Sequence, residues 1–97
     1  REVDVSKLQE RNETYYVVNE KEPFTGKAIK NYENGQVEEK RNYKTGERHG
    51  EFIEYYENGQ VERKTNWKDG ELHGELIWYY ENGQVEEKRN YKIHRKH

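Results

Sequence analysis

ENGQVEEKRNYKTGERHGEFIEYY, residues Glu33 to Tyr56, is followed without a gap by ENGQVERKTNWKDGELHGELIWYY, residues Glu57 to Tyr80, and 17 of the 24 aligned positions are identical. Glu81 to Lys92 then repeats Glu33 to Lys44 without a change, and Gly26 keeps phase with Gly50 and Gly74, so Phe24 to Tyr32 reads as a divergent earlier half-unit. Self-similarity at a fixed period of this length is the mark of a repeat array. The chain therefore reads as one array over residues 14–97, with a divergent first unit at 14–32, units at 33–56 and 57–80, and a partial unit at 81–92. Arg1 to Glu13 lies outside the pattern and reads as an N-terminal cap or mobile lead-in.

Within each unit the punctuation is that of β-hairpins. Asn34-Gly35, Asn58-Gly59 and Asn82-Gly83 each separate two alternating segments, and Asn-Gly is the dipeptide that best tolerates the two positive φ angles of a type I′ turn. That turn predicts Tyr56 opposite Val61, Glu54 opposite Arg63, Phe52 opposite Thr65 and Gly50 opposite Trp67 on one side. The other side pairs Tyr55 with Glu62, Ile53 with Lys64 and Glu51 with Asn66. The pairings are chemically sensible: opposite charges face each other at Glu54 and Arg63 and at Lys30 and Glu39, and an aromatic lies across from each of Gly26, Gly50 and Gly74. Lys44 to His49 and Lys68 to His73 read as longer glycine-containing loops. The expected fold is all-β: an elongated, single-layer antiparallel meander, a solenoid of hairpins in which neighbouring units stabilise one another.

Composition agrees with a folded but thinly packed chain. Of 97 residues, 16 are Leu, Ile, Val or Phe, and 39% are charged. A composition so polar leans toward disorder, yet the charges cancel to −2 and nine tyrosines with two tryptophans supply large area per side chain. No apolar run approaches the roughly 20 residues of a membrane-spanning helix, and the balanced charge disfavours nucleic acid as a partner. With no cysteine, disulfides and thiolate chemistry are excluded. A chain that starts at Arg1 and has no methionine reads as lacking a segment that preceded it. A removed signal peptide is one such segment, so a secreted, periplasmic or envelope location is expected, with the cytoplasm as the alternative.

The succession Y-Y-E-N-G-Q, then Y/W-K-x-G-E-x-H-G, then a tyrosine-rich strand resembles the MORN repeat in its bacterial variant form, over about Thr14 to Lys92. Glu22-Pro23-Phe24-Thr25-Gly26-Lys27, preceded by Thr14-Tyr15-Tyr16, is similar to the entry segment of such arrays. The sequence departs from the pattern at Ile93 to His97, which replaces the next glycine turn. The resemblance implies an elongated hairpin sheet and no shared catalytic residue. It also implies functions that range from membrane apposition, phosphoinositide contact and protein scaffolding in eukaryotes to secreted, envelope and antitoxin proteins in bacteria.

Enzyme chemistry finds no support in the residues. Ser6 is the lone serine and lies outside the array, and the repeated glutamates flank turns. His49 and His73 occupy equivalent positions, which the repeat spreads apart, so neither a metal site nor a cofactor is expected. The sharper candidates are Ile29, Ile53, Tyr55, Ile77 and Tyr79, which alternation places on one face, where exposed aromatics suit protein recognition. Tyr56, Tyr80, Phe52, Trp67 and Leu76 are the expected core of the opposite face. The basic end at Lys92, Arg95 and Lys96, beside Lys88 and Arg89, is a candidate contact for anionic lipid or phosphate. The expected function is a non-enzymatic protein-interaction or scaffold module with an unidentified protein partner. Self-association through edge strands, peripheral lipid binding and toxin neutralisation are the alternatives.

Overall fold

The computed structural model describes residues 1–92. Ten strands are formed: β1 (Glu2–Asp4), β2 (Leu8–Arg11), β3 (Thr14–Val17), β4 (Gly26–Asn31), β5 (Val37–Lys44), β6 (Glu47–Arg48), β7 (Gly50–Tyr55), β8 (Val61–Lys68), β9 (Glu71–Tyr79) and β10 (Val85–Tyr91). The main sheet runs β1-β4-β5-β7-β8-β9-β10, with β6 paired to β5, and it stays open at its edges. It is antiparallel except at β1, which pairs parallel with β4 and makes the sheet mixed. A second, two-stranded sheet of β2 and β3 packs on the aromatic face at the N-terminal end. The parallel strand and the second sheet both lie outside the sequence expectation. The plate measures 42 × 42 × 18 Å.

In the central hairpin the register is Gly50 to Trp67, Glu51 to Asn66, Phe52 to Thr65, Ile53 to Lys64 and Glu54 to Arg63, as the repeat predicts. Nearer the turn the expectation fails. Tyr55, not Tyr56, stands opposite Val61, and Glu62 is left as an extra residue. The cause is the turn itself. Gly59 N–H donates to the Tyr56 carbonyl (3.0 Å), and Tyr56 N–H donates to that of Gln60 (2.8 Å). Among Glu57, Asn58 and Gly59 only the glycine has positive φ, +90°. This is a three-residue loop, a type I turn closed by a left-handed glycine. The loop moves the register by one residue, and the bulge at Glu62 moves it back. The same bulge recurs at Glu38 and Glu86. Asparagine serves here through its carboxamide: Oδ1 of Asn34, Asn58 and Asn82 accepts the N–H of Gln36, Gln60 and Gln84, each at 2.9 Å.

The two-residue turn with both φ positive does occur, at Thr45-Gly46 (+46°, +80°) and Asp69-Gly70 (+50°, +84°), inside the segments that the sequence suggests are long loops. Lys44 pairs with Glu47 and Lys68 with Glu71 directly across these turns. The apparent loop length comes instead from a two-residue excess around His49-Gly50 and His73-Gly74, which the sheet absorbs as an irregularity between correctly paired segments.

The apolar centre lies under the small sheet. Phe24, Ala28 and Tyr43 are buried, with Val3, Val5, Leu8, Tyr15, Val17 and Phe52 packed against them. Tilted rings continue the contact across the main sheet, Tyr15 to Tyr43 (5.0 Å), Tyr43 to Phe52 (5.6 Å) and Phe52 to Trp67 (5.5 Å); such aromatic pairs add to area burial. Burial raises the Tyr43 phenol above its ordinary value, against the opposing hydrogen bond from Arg41. Of the expected core residues, Leu76 is buried, while Phe52, Tyr56 and Trp67 are half-buried. Tyr80 is a correction: it is 50% exposed, because among the described residues no further hairpin lies beside it to cover the ring.

Gly46 is where the repeat meets the small sheet. Its N–H donates to the Phe24 carbonyl, its own carbonyl accepts from Tyr15 N–H, and a Cβ there would lie 2.3 Å from Thr14 Cγ2. Gly35 has similar φ with open space around it. Gly46→Ala is expected to cost about 2–5 kcal/mol, combining left-handed alanine strain with overpacking. Gly35→Ala costs only the strain, about 1–2 kcal/mol. Urea unfolding followed by tryptophan fluorescence checks the difference; equal costs would refute this account of the junction.

Candidate interaction surface

Strand alternation sorts the main sheet into two faces. One carries Ala28, Tyr43, Phe52, Trp67 and Leu76. On the other, register aligns a single row across the strands: Ile29, Lys40, Ile53, Lys64, Ile77 and Lys88. Strands lie about 4.8 Å apart, so successive isoleucines are separated by one lysine stem, which covers their flanks while its ammonium reaches water. Tyr55 and Tyr79 stand two residues beyond Ile53 and Ile77, hence on the same face. The structure thus brings Ile29, Ile53, Tyr55, Ile77 and Tyr79 together, and all five are half-buried.

Carboxylates tie most of the row's lysines. Lys64 Nζ lies 3.2 Å from Glu51 and Lys88 Nζ lies 2.6 Å from Glu75. Those bonds raise both ammonium groups above the ordinary lysine value. Lys40 instead sits over the Tyr55 ring, 5.8 Å from its centroid. Asn42 Nδ2 donates to the Glu51 carbonyl (2.9 Å), and Asn66 Nδ2 reaches that of Glu75 (3.5 Å), so side chains of this face also brace the strands.

Tyr55 and Tyr79 have a second role through their backbone. The Tyr32 hydroxyl donates to the Tyr55 carbonyl, and the Tyr56 hydroxyl donates to the Tyr79 carbonyl (2.6 Å). Each bond joins one hairpin to the next. Alongside, Asn58 Nδ2 donates to the Glu81 carbonyl (3.2 Å).

The basic end is less one-signed than the sequence suggests. Lys88 is paired with Glu75, and Arg89 with Glu87 (2.8 Å), its guanidinium 5.6 Å from the Trp78 ring centroid. Lys92 is exposed; Arg95 and Lys96 lie outside the described residues. Lys30, expected to pair with Glu39, keeps that register but sends its ammonium to Glu38 (3.3 Å), while Glu39 pairs with Arg41 (2.9 Å). The expected Glu54 and Arg63 ion pair is present. Among the described residues, no three His, Asp or Glu side chains converge as metal donors.

Arg48 is the residue that sequence reasoning missed. Its guanidinium sits among Tyr15, Phe52 and Trp67, at 5.8, 5.9 and 4.8 Å from their centroids, and donates to the Tyr15 hydroxyl (3.1 Å). The signal was available in the repeat phase: Phe24 and Leu72 fill the equivalent positions, so position 48 also points inward.

A plate of successive hairpins, packed on one face and presenting a repeated side-chain row on the other, defines a β-hairpin repeat protein. Residues 24–45, 48–69 and 72–92 each match the MORN repeat variant, and together they make up most of the chain. The chain belongs to the MORN repeat variant family. MORN repeats are non-catalytic modules that bind proteins or membranes. No curated protein and no solved structure matches the chain.

Partial desolvation, followed by nearby carboxylates, raises the phenols of Tyr32 and Tyr56 above their ordinary value. A raised folded-state pKa adds stability that is complete below the unfolded tyrosine pKa of about 10 and is lost as pH climbs through the higher folded value. The urea midpoint of the native protein is therefore expected to fall above about pH 10. Tyr32→Phe with Tyr56→Phe, which lacks both hydroxyls, should start lower at neutral pH and fall less on the alkaline side. Superimposable pH curves would show that the two hydroxyl bonds contribute nothing to the array.

Proposed function

We propose that this chain is a non-enzymatic scaffold that binds a partner protein on its isoleucine–lysine face, with Ile29, Ile53, Tyr55, Ile77 and Tyr79 as the contacts. One observation carries the reading. The rings of the aromatic face pack on one another from Tyr15 to Trp67, whereas the isoleucine row and its two tyrosines, half-exposed, form no ring pair among the described residues and stand along a rigid sheet. Half-exposed aromatics flanked by polar groups are the composition of recognition surfaces. Family membership supports a binding role and leaves the partner open.

Selection from a random dodecapeptide display library tests the proposal and requires no identified partner. Peptides enriched by the native chain should lose about tenfold or more in affinity, more than 1.4 kcal/mol, against Tyr55→Ser with Tyr79→Ser, while the β-type circular dichroism spectrum persists. Binding that survives the double substitution would move the site off this face. Loss of the spectrum would assign the two rings to packing.

A second reading rests on the open edge. Residues 85–90 of β10 are all exposed, and Tyr80 and Val85 stand 50% and 53% exposed beside it. Unpaired strand edges of this kind recruit another strand. Concentration-dependent sedimentation that Val85→Lys with Tyr80→Lys abolishes is expected of self-association through β10; a monomer at every concentration would exclude it.

A further inference from the structure

The repeat ladder of ion pairs has one gap. Lys64 takes Glu51 and Lys88 takes Glu75, in each case a carboxylate 13 residues earlier on the neighbouring strand. For Lys40 the equivalent position is Lys27. Lys27 is two residues from Ile29, the register partner of Lys40, so the two lysines are diagonal neighbours on one face. Among the described residues neither has a carboxylate within ion-pair distance. Glu2 stands in register with Lys27 on β1 without bridging to it, and Asp4, in register with Ile29, uses its carboxylate on Ser6 N–H (2.8 Å).

Beside Lys27 the surface sinks into an open depression of about 700 Å³ that Asn42, Lys44 and His49 also line. Its other charged groups are Glu2 and Arg1, the latter bound to Glu20. His49 Nδ1 is buried with no hydrogen-bond partner among the described residues. Lys40 turns its ammonium away to the Tyr55 ring, but Lys27 and Lys44 both line the depression, without an ion-pair partner among the described residues, and an anion entering there would gain charge-assisted hydrogen bonds from the two.

We infer that Lys27 and Lys44, which line the same depression, form the anchor for an acidic segment of a partner protein, whose neighbouring residues extend along the isoleucine row; this rests on the interaction face proposed above. A protein segment suits the surface better than a bilayer. Glu51 and Glu75 pair with Lys64 and Lys88 and present carboxylates toward any flat anionic plane, whereas a segment can place one or two carboxylates at the gap and apolar residues beyond it.

The decisive variant is Lys27→Glu, which installs in the first repeat the carboxylate that the others already have. It is expected to keep the β-type circular dichroism spectrum and to weaken acidic peptides about tenfold, with Lys27→Gln intermediate. The dodecapeptides selected by the native chain should be enriched in Asp or Glu, and their affinity should fall as salt rises. Apolar peptides that depend on Tyr55 and Tyr79 but show no acidic enrichment and no response to Lys27→Glu would overturn this inference and leave the interaction face standing. Peptides independent of both tyrosines would remove the face and the anchor together. Flotation with phosphatidylserine vesicles that Lys27→Glu abolishes, without acidic peptides in the selection, would assign the gap to a membrane and refute the protein partner.

Discussion

Tyr32 and Tyr56 each send a hydroxyl into the carbonyl of a tyrosine 23 residues further on, and the coherence of the array depends on that contact. A sheet whose buried apolar side chains are Phe24, Ala28, Tyr43 and Leu76 has little area with which to hold strands together. The hydroxyl bonds therefore act where the hairpins abut, near the turns, while the tilted rings from Tyr15 to Trp67 act at the other end of the strands. Neighbouring units supply what no single unit can, as in other repeat proteins. The ring packing falls on one face, and the opposite face, braced by Asn42 and Asn66, keeps its isoleucines and two tyrosines half-exposed.

Much of this was legible in the sequence. The 24-residue period fixed the hairpins, and alternation placed Ile29, Ile53 and Ile77 on one face with Phe52 and Trp67 on the other. What misled was the chemistry of two glycine dipeptides. Asn58-Gly59 looks like a two-residue turn because asparagine tolerates positive φ, but its carboxamide instead captures Gln60 N–H and holds a three-residue loop. Asp69-Gly70 looks like part of a long loop because His73-Gly74 breaks the alternation beyond it, yet it forms the tight turn. Local propensity admits both solutions; the neighbouring strand decides between them. The pairing of β1 with β4 and the cover by β2 and β3 were not legible, because neither segment shares the repeat that organised the reading.

The interaction face was easier to find than its point of asymmetry. Three nearly identical units predict three equivalent lysines, and attention goes to what repeats. The informative residue is the one that does not: Lys27 occupies the place of Glu51 and Glu75 and leaves one end of the row with a lysine that no carboxylate bridges among the described residues. Repeat arrays commonly gain specificity in this way, since packing constrains the inward positions and leaves outward ones free to differ. Arg48 is the inward counterpart, a cation accepted at a core-facing position because Tyr15, Phe52 and Trp67 surround it.

The central claim is a division of labour between the two faces, packing on the aromatic side and recognition on the isoleucine–lysine side. Methyl NMR of isoleucine- and leucine-labelled protein, titrated with an acidic peptide from the display selection, tests it most directly. The account predicts shifts at the Ile29, Ile53 and Ile77 methyls, largest at Ile29 beside Lys27, with Leu76 unmoved. Shifts confined to Leu76, with the isoleucine methyls silent, would place recognition on the aromatic face and contradict the account.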